Sequence, residues 1–304
     1  MIKLIQAVLL ILTTVVQIHA AAFSTGTYNA LGGDAQNDNM AEALVVLNPL
    51  LEASKTGVYR AVVKSGNGSA VWIGNSASKS YFITAAHLVN AATTNIMTTY
   101  GGTTINPVAG SVFHTLTDNS EDFGLLEYNA VLDPALFGGE SPILMDSNLV
   151  DNYLGVETSA VGYGYLTLAI GPADAGRELA RTRMLSYANI TGYDPSTTLR
   201  TLSEVSGTYD AAKPHAGVTT GGDSGGGVFI DIAGTKVLVG AVSAGNWKTT
   251  MVYSNLYEHK AYIDSIVPAG VVTWFSDAPD TTPPNPDPMT WAVAPWAGAD
   301  ALVA

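Results

Sequence analysis

Short apolar, β-branched runs separated by glycine-rich or polar turns dominate the chain from Val58 to about Gly270. Val58–Val63, Ala70–Gly74, Tyr81–Thr84, Phe123–Tyr128, Ala160–Tyr165, Val237–Val242 and Met251–Tyr253 each have strand length, with turn residues between them. No regular alternation with helical patterns interrupts them, so the pattern predicts a large all-β sandwich or barrel rather than βαβ units. Two stretches carry a helical pattern instead. Met40–Leu51 lies in an otherwise polar, glycine-rich segment, and Leu256–Ile266 offers Leu256, Tyr262, Ile263 and Ile266 as core contacts.

The two ends read differently from the middle. Lys3 precedes an apolar run from Leu4 to Ile18, and Ala20, Ala21 and Ala22 follow it. A positive start, a short hydrophobic stretch and small residues at the exit describe a secretory signal peptide over residues 1–22. Gln6, Thr13 and Thr14 interrupt a run already short for a membrane span, which needs roughly 20 apolar residues. Residues 23–57 then form an N-terminal extension and 58–276 the β domain. Five prolines between Pro279 and Pro288 make 277–288 a stiff linker, and 289–304 reads as the truncated start of a further β module.

Composition narrows the chemistry. Of 304 residues, 47% are apolar, enough to bury a sizeable core, and the formal charge is −13. An acidic chain without basic clusters is not expected to bind nucleic acid. The absence of cysteine excludes disulfides, thiolate metal sites and a cysteine nucleophile. Export without disulfides is unlike small eukaryotic secreted domains, so a bacterial protein that is secreted, periplasmic or at the cell surface is expected. No His/Asp cluster has metal-ligand spacing, and no cofactor is expected. The acidic loop Asp34–Asn39 reads as solvated surface rather than a Ca²⁺ site, and Asn67-Gly68-Ser69 and Asn189-Ile190-Thr191 match a glycosylation pattern of little meaning in a bacterium.

Three motifs carry candidate chemistry. Thr84-Ala85-Ala86-His87 ends an apolar run, so His87 sits at a rigid edge, although a lone histidine is as readily structural. His114, His215 and His259 have no such context. Asp122 leads into the strand pattern Phe123-Gly124-Leu125-Leu126 and would by itself read as a turn residue or strand cap. Gly221-Gly222-Asp223-Ser224-Gly225-Gly226-Gly227 is either a flexible hairpin loop or a backbone shaped to aim two N–H groups at one point beside a hydroxyl.

Taken together and in order, these motifs resemble the chymotrypsin/trypsin-like serine peptidases from roughly Val58 to Ile266, supported by Val161-Gly162-Tyr163-Gly164 and Val242-Ser243-Ala244-Gly245. The resemblance implies two antiparallel six-stranded β-barrels with a late C-terminal helix. It implies Ser224 as nucleophile, His87 as its base, Asp122 as the residue orienting His87, and the N–H groups of Gly222 and Ser224 as oxyanion donors. Ser243 would bond Asp122, and Ser243 and Gly245 would present backbone to an extended protein or peptide substrate. The enzyme would be a secreted serine endopeptidase acting as a monomer.

Departures from the family pattern bear on specificity and activation. The family's spacing implies that Val218, six positions before Ser224, stands at the base of the specificity pocket and Met251 near its wall; the alternative is that Val218 belongs to the barrel core and another loop forms the pocket. In the pocket, Val218 and Met251 predict small or apolar residues before the scissile bond. Ala244 replaces the usual Trp. No basic residue precedes a suitable new N-terminus, so the partner of Asp223 is open; Leu31-Gly32-Gly33 and Val58 are poor candidates. The competing readings are a catalytically silent binding protein on a peptidase fold and the processing domain of a larger adhesive surface protein.

Overall fold

The computed structural model describes residues 21–89, 96–116, 121–146, 156–169, 177–193, 199–203, 217–245 and 250–275. Residues 1–20 of the expected leader over 1–22, the proline-rich 277–288 and 289–304 lie outside the described residues. Two antiparallel β units carry the chain, as the apolar runs predict. In the first, Gly68–Asn75 pairs with Val62–Ser65 on one side and Ser80–Ala85 on the other, and Phe123–Tyr128 and Val112–Thr115 extend the sheet. The short strands Met97–Thr98 and Thr104–Ile105 complete seven. Ser80–Ala85 is buried at every position, because one face fills the barrel and the other meets the second unit. That two-sided burial is why Tyr81-Phe82-Ile83 runs apolar at its centre instead of alternating.

Six strands of the second unit close on themselves. Glu157–Gly162, Met184–Tyr193, Leu199–Ser203, Thr250–Asn255, Thr235–Gly245 and Gly227–Ile232 pair in that order, and Gly227–Ile232 pairs back onto Glu157–Gly162. Val156, Ile190, Val218, Val228, Val239, Met251 and Tyr253 fill the barrel. The helix Leu256–Ile266 follows, burying Leu256, His259 and Ile263, as its pattern predicts. Between the units, the Tyr59 hydroxyl donates to Ser159 Oγ at 2.7 Å, and its ring meets Phe229 edge-on at 5.2 Å. The fold is therefore the expected chymotrypsin-like all-β architecture.

The segment 23–57 is built into this body. Ala21–Ser24 lies in a four-stranded sheet between Tyr165–Ala169, which it pairs in parallel, and Gly217–Thr219. The pattern over Met40–Leu51 yields two helices, Met40–Val46 and Asn48–Ala53, rather than one. The break falls at Leu47, just before Pro49, whose missing N–H and fixed φ suit the first turn of a new helix. Asn39 caps the first of them in a capping box with Glu42. Phe23, Tyr28, Leu47 and Leu50 bury themselves against Leu166, Leu168 and Met184.

A buried arginine ties the segment to both barrels. Arg183, 5% exposed, donates to the carbonyls of Ser54, Tyr59 and Val62, to Ser54 Oγ and to Tyr163 Oη. Only a planar fork with five donors can serve acceptors spread this way. Arg183→Leu should therefore lower unfolding free energy by about 3 kcal/mol, since it strands several buried carbonyls. Arg183→Lys should recover little of it. Urea denaturation checks this, and a loss under about 1 kcal/mol would contradict the bridging role.

Candidate active site

Strand pairing alone brings the first two residues together. Ser80–Ala85 and Phe123–Tyr128 run antiparallel with Ala85 opposite Phe123, so the residues just past Ala85 face those just before Phe123. His87 lies in the short helix Ala86–Val89 that begins there. Its Nδ1 is 2.9 Å from Asp122 Oδ2 and 3.0 Å from Oδ1, and its backbone N–H donates to Oδ1 at 2.9 Å. Asp122 adopts φ 42°, a strained conformation for a residue with a side chain. The Ala86 N–H donates to its carbonyl at 3.2 Å.

Burial would raise the Asp122 carboxyl, but hydrogen bonding and charge from His87, with a bond from Ser243, outweigh it and hold the group below the ordinary carboxylate range. The ionised carboxylate can only accept, so His87 Nδ1 carries a proton, and in the neutral imidazole Nε2 is then the acceptor. Ser243 Oγ donates to Asp122 Oδ2, as the sequence implies. The Ser243 carbonyl accepts from Ser224 Oγ at 3.3 Å. Ser224 thus joins the His87–Asp122 pair through Ser243, with its hydroxyl turned to that carbonyl rather than to His87.

The loop around Ser224 is shaped by glycine. Gly225 has φ 79°, and a Cβ there would lie 2.1 Å from the Ser69 carbonyl and 2.3 Å from Thr84 Oγ1. No other residue allows the loop to lie so close to the first barrel. Inside the loop, Asp223 N–H donates to Thr220 O at 3.0 Å and Gly226 N–H to Asp223 O at 2.6 Å. The N–H groups of Gly222 and Ser224 have no acceptor among the described residues. Two N–H donors beside a serine hydroxyl, without protein acceptors of their own, are groups of the kind that can meet a developing oxyanion.

Asp223, whose partner the sequence leaves open, is 2% exposed. Its Oδ2 accepts from Thr220 N–H and its Oδ1 from Gly164 N–H, both at 2.9 Å. Val218 and Met251 have no exposed surface and belong to the second barrel's core. Thr219 Oγ1 donates to Met251 Sδ at 2.9 Å within that core. Gly245 pairs with Met251, and Ala244 beside it is exposed.

His259, which the sequence leaves without context, backs the Asp122 turn. Its Nε2 lies 2.7 Å from Ser254 Oγ, which donates to the Glu121 carbonyl at 2.8 Å. Its ring stacks on Phe123 at 4.3 Å, and its Nδ1 is 3.9 Å from the Glu121 carboxylate. The residues on both sides of Asp122 are thus held from the second barrel. No local motif marks this, because the partners meet only in the folded chain.

Comparison with protein families gives one match, to the family described as Trypsin, over residues 53–266. None of the curated proteins compared with the chain matches it. Among the described residues, no group of three or more His, Cys, Asp or Glu side chains could hold a metal ion, and no helix is long and apolar enough to cross a membrane.

Burial pushes the His259 imidazole down to about 4 from 6.5. The folded state keeps it neutral while the unfolded chain protonates below about 6.5. Its contribution is therefore complete above that pH and lost as pH falls toward 4, by up to about 3 kcal/mol. His259→Phe, which keeps the ring on Phe123, should flatten the stability–pH slope between about pH 6.5 and 4 relative to the wild type. Equal slopes for both proteins would contradict it.

Proposed function

The chain belongs to the trypsin family, and from that premise we propose that it is a serine endopeptidase that cleaves through an acyl-enzyme on Ser224. The observation that carries this is the Asp122–His87 pair, set so that Nε2 is an acceptor, next to a loop with two N–H groups lacking acceptors. His87 Nε2 takes the Ser224 proton as Oγ attacks the scissile carbonyl, then gives it to the leaving amine. Asp122 holds the tautomer and stabilises the imidazolium. The N–H groups of Gly222 and Ser224 bind the oxyanion, each worth on the order of 3 kcal/mol in the transition state. Rotation of Ser224 about χ1 moves Oγ from the Ser243 carbonyl toward His87, a closure that substrate commonly completes.

An extended substrate adds to the edge Ser243–Gly245, which is free of the Gly227–Ile232 strand beyond Ala241. We place the apolar side chains of Val218 and Met251, neither of them a carboxylate, behind the pocket base, since both lie without exposed surface in the second barrel's core. We therefore assign a preference for small or apolar residues before the scissile bond. Export follows removal of the leader, and a cut after Ala20 leaves Ala21–Ser24 whole beside Gly217–Thr219. The turned-away Ser224 hydroxyl favours one other reading, a silent binding protein on the same fold.

Kinetics separate the two. Ser224→Ala should abolish hydrolysis with little change in stability, and Asp122→Asn should lower kcat by ~10⁴-fold. Full activity in Ser224→Ala would sink the peptidase reading, as would a wild type that never turns over peptide. A peptide library should show cutting after small apolar residues, and Met251→Gly should admit Phe and Leu. Dominant cutting after Lys or Arg would overturn the pocket assignment, because such charges would lack a partner there.

A further inference from the structure

We propose that Ser69, a first-barrel residue, is a positioning residue that straps the nucleophile loop into its oxyanion-binding shape. This rests on the peptidase reading above. Ser69 is fully buried, and each of its polar atoms is committed. Its N–H donates to the Ser224 carbonyl at 2.7 Å, and its Oγ donates to the Gly222 carbonyl at 3.1 Å. One residue therefore grips the carbonyls on both sides of Asp223. Its own carbonyl accepts from Thr84 Oγ1 at 2.8 Å, three residues before His87.

The direction of these bonds is set by chemistry. The Tyr163 N–H can only donate, and it points at Ser69 Oγ from 2.9 Å. The Gly222 carbonyl can only accept, so the Ser69 proton must lie toward it. Tyr163 is in turn held at its Oη by Arg183 Nη1, 2.9 Å away. A continuous run of hydrogen bonds thus links Arg183, Tyr163, Ser69 and Gly222.

The strap matters because Gly222, at φ 93°, lacks the side chain that would restrict rotation of its peptide. Its carbonyl belongs to the peptide between Gly222 and Asp223, which separates the two oxyanion donors. If that peptide turns, the Gly222 and Ser224 N–H groups no longer converge. Holding the carbonyl fixes the donors before substrate arrives, which is where such groups gain their catalytic value. An alanine keeps the backbone bond to Ser224 and loses only the hydroxyl.

The test uses the full mature chain with Ser69→Ala. It should lower kcat by about tenfold to a hundredfold, less than removal of a direct donor, with KM nearly unchanged. Affinity for a peptide aldehyde, which forms a tetrahedral adduct, should fall by the same factor. Amide hydrogen exchange across residues 222–226 should speed up at least tenfold. Ser69→Cys, close in size but a weak donor, should show the same split and serves if the alanine variant does not fold. Wild-type kcat per phosphonate-titrated site in the variant would overturn the proposal. Unchanged exchange at 222–226 would overturn it too, whether or not the wild type cleaves peptide. Absence of both cleavage and phosphonate labelling in the wild type would instead overturn the peptidase reading.

Discussion

A carboxylate taken out of water must be met by donors, and the one at Asp223 governs how the cleft is assembled. Among its donors are two backbone N–H groups, from Thr220 in its own loop and from Gly164 in the turn after Glu157–Gly162. The fit is close, because a Cβ at Gly162 would lie 2.2 Å from Asp223 Oδ1. With the carboxylate docked there, Gly226 N–H closes on the Asp223 carbonyl and the loop has one shape. Ser224 and the two open N–H groups take their positions from that shape. Gly162 is thus required by the packing of the Asp223 carboxyl, and Gly225 by the approach of the loop to Ser69 and Thr84.

The rest of the site hangs between the barrels. Asp122 and His87 come from the first, and Ser243, Ser254 and His259 reach Asp122 or its neighbours from the second. Ser224 comes from the second and is gripped by Ser69 from the first. Each half of the chemistry is braced by the other barrel, so slippage between barrels would disturb both. The Arg183 cluster and the Tyr59–Ser159 bond resist that slippage away from the cleft. Burial without a carboxylate partner lowers the basicity of Arg183, and its surrounding oxygens compensate the charge as dipoles.

How much of this was legible follows from the range of each interaction. The apolar runs mark strands because burial on both faces leaves an unbroken hydrophobic signal, and Leu256–Ile266 is helical where its pattern says so. Val58–Val63 is not: it begins as a 3-10 turn over Gly57–Ala61, since a short apolar run does not distinguish the two. His87 and Asp122 are legible because each sits at a strand end. Ser69 reads only as part of a glycosylation pattern, because its bonds reach residues 94 and 153 positions away. His259 and Arg183 are hidden for the same reason. The strand Ala21–Ser24 is too short to show a period, and its partners are far along the chain.

The central claim is that this geometry makes Ser224 a nucleophile. Treating the protein with a fluorophosphonate and mapping the adduct by tandem mass spectrometry tests it most directly. The account predicts one adduct, on Ser224, with fluoride lost and the Ser224 proton taken by His87, and none after His87→Ala. An unlabelled wild type, or an adduct on any other residue, would contradict it.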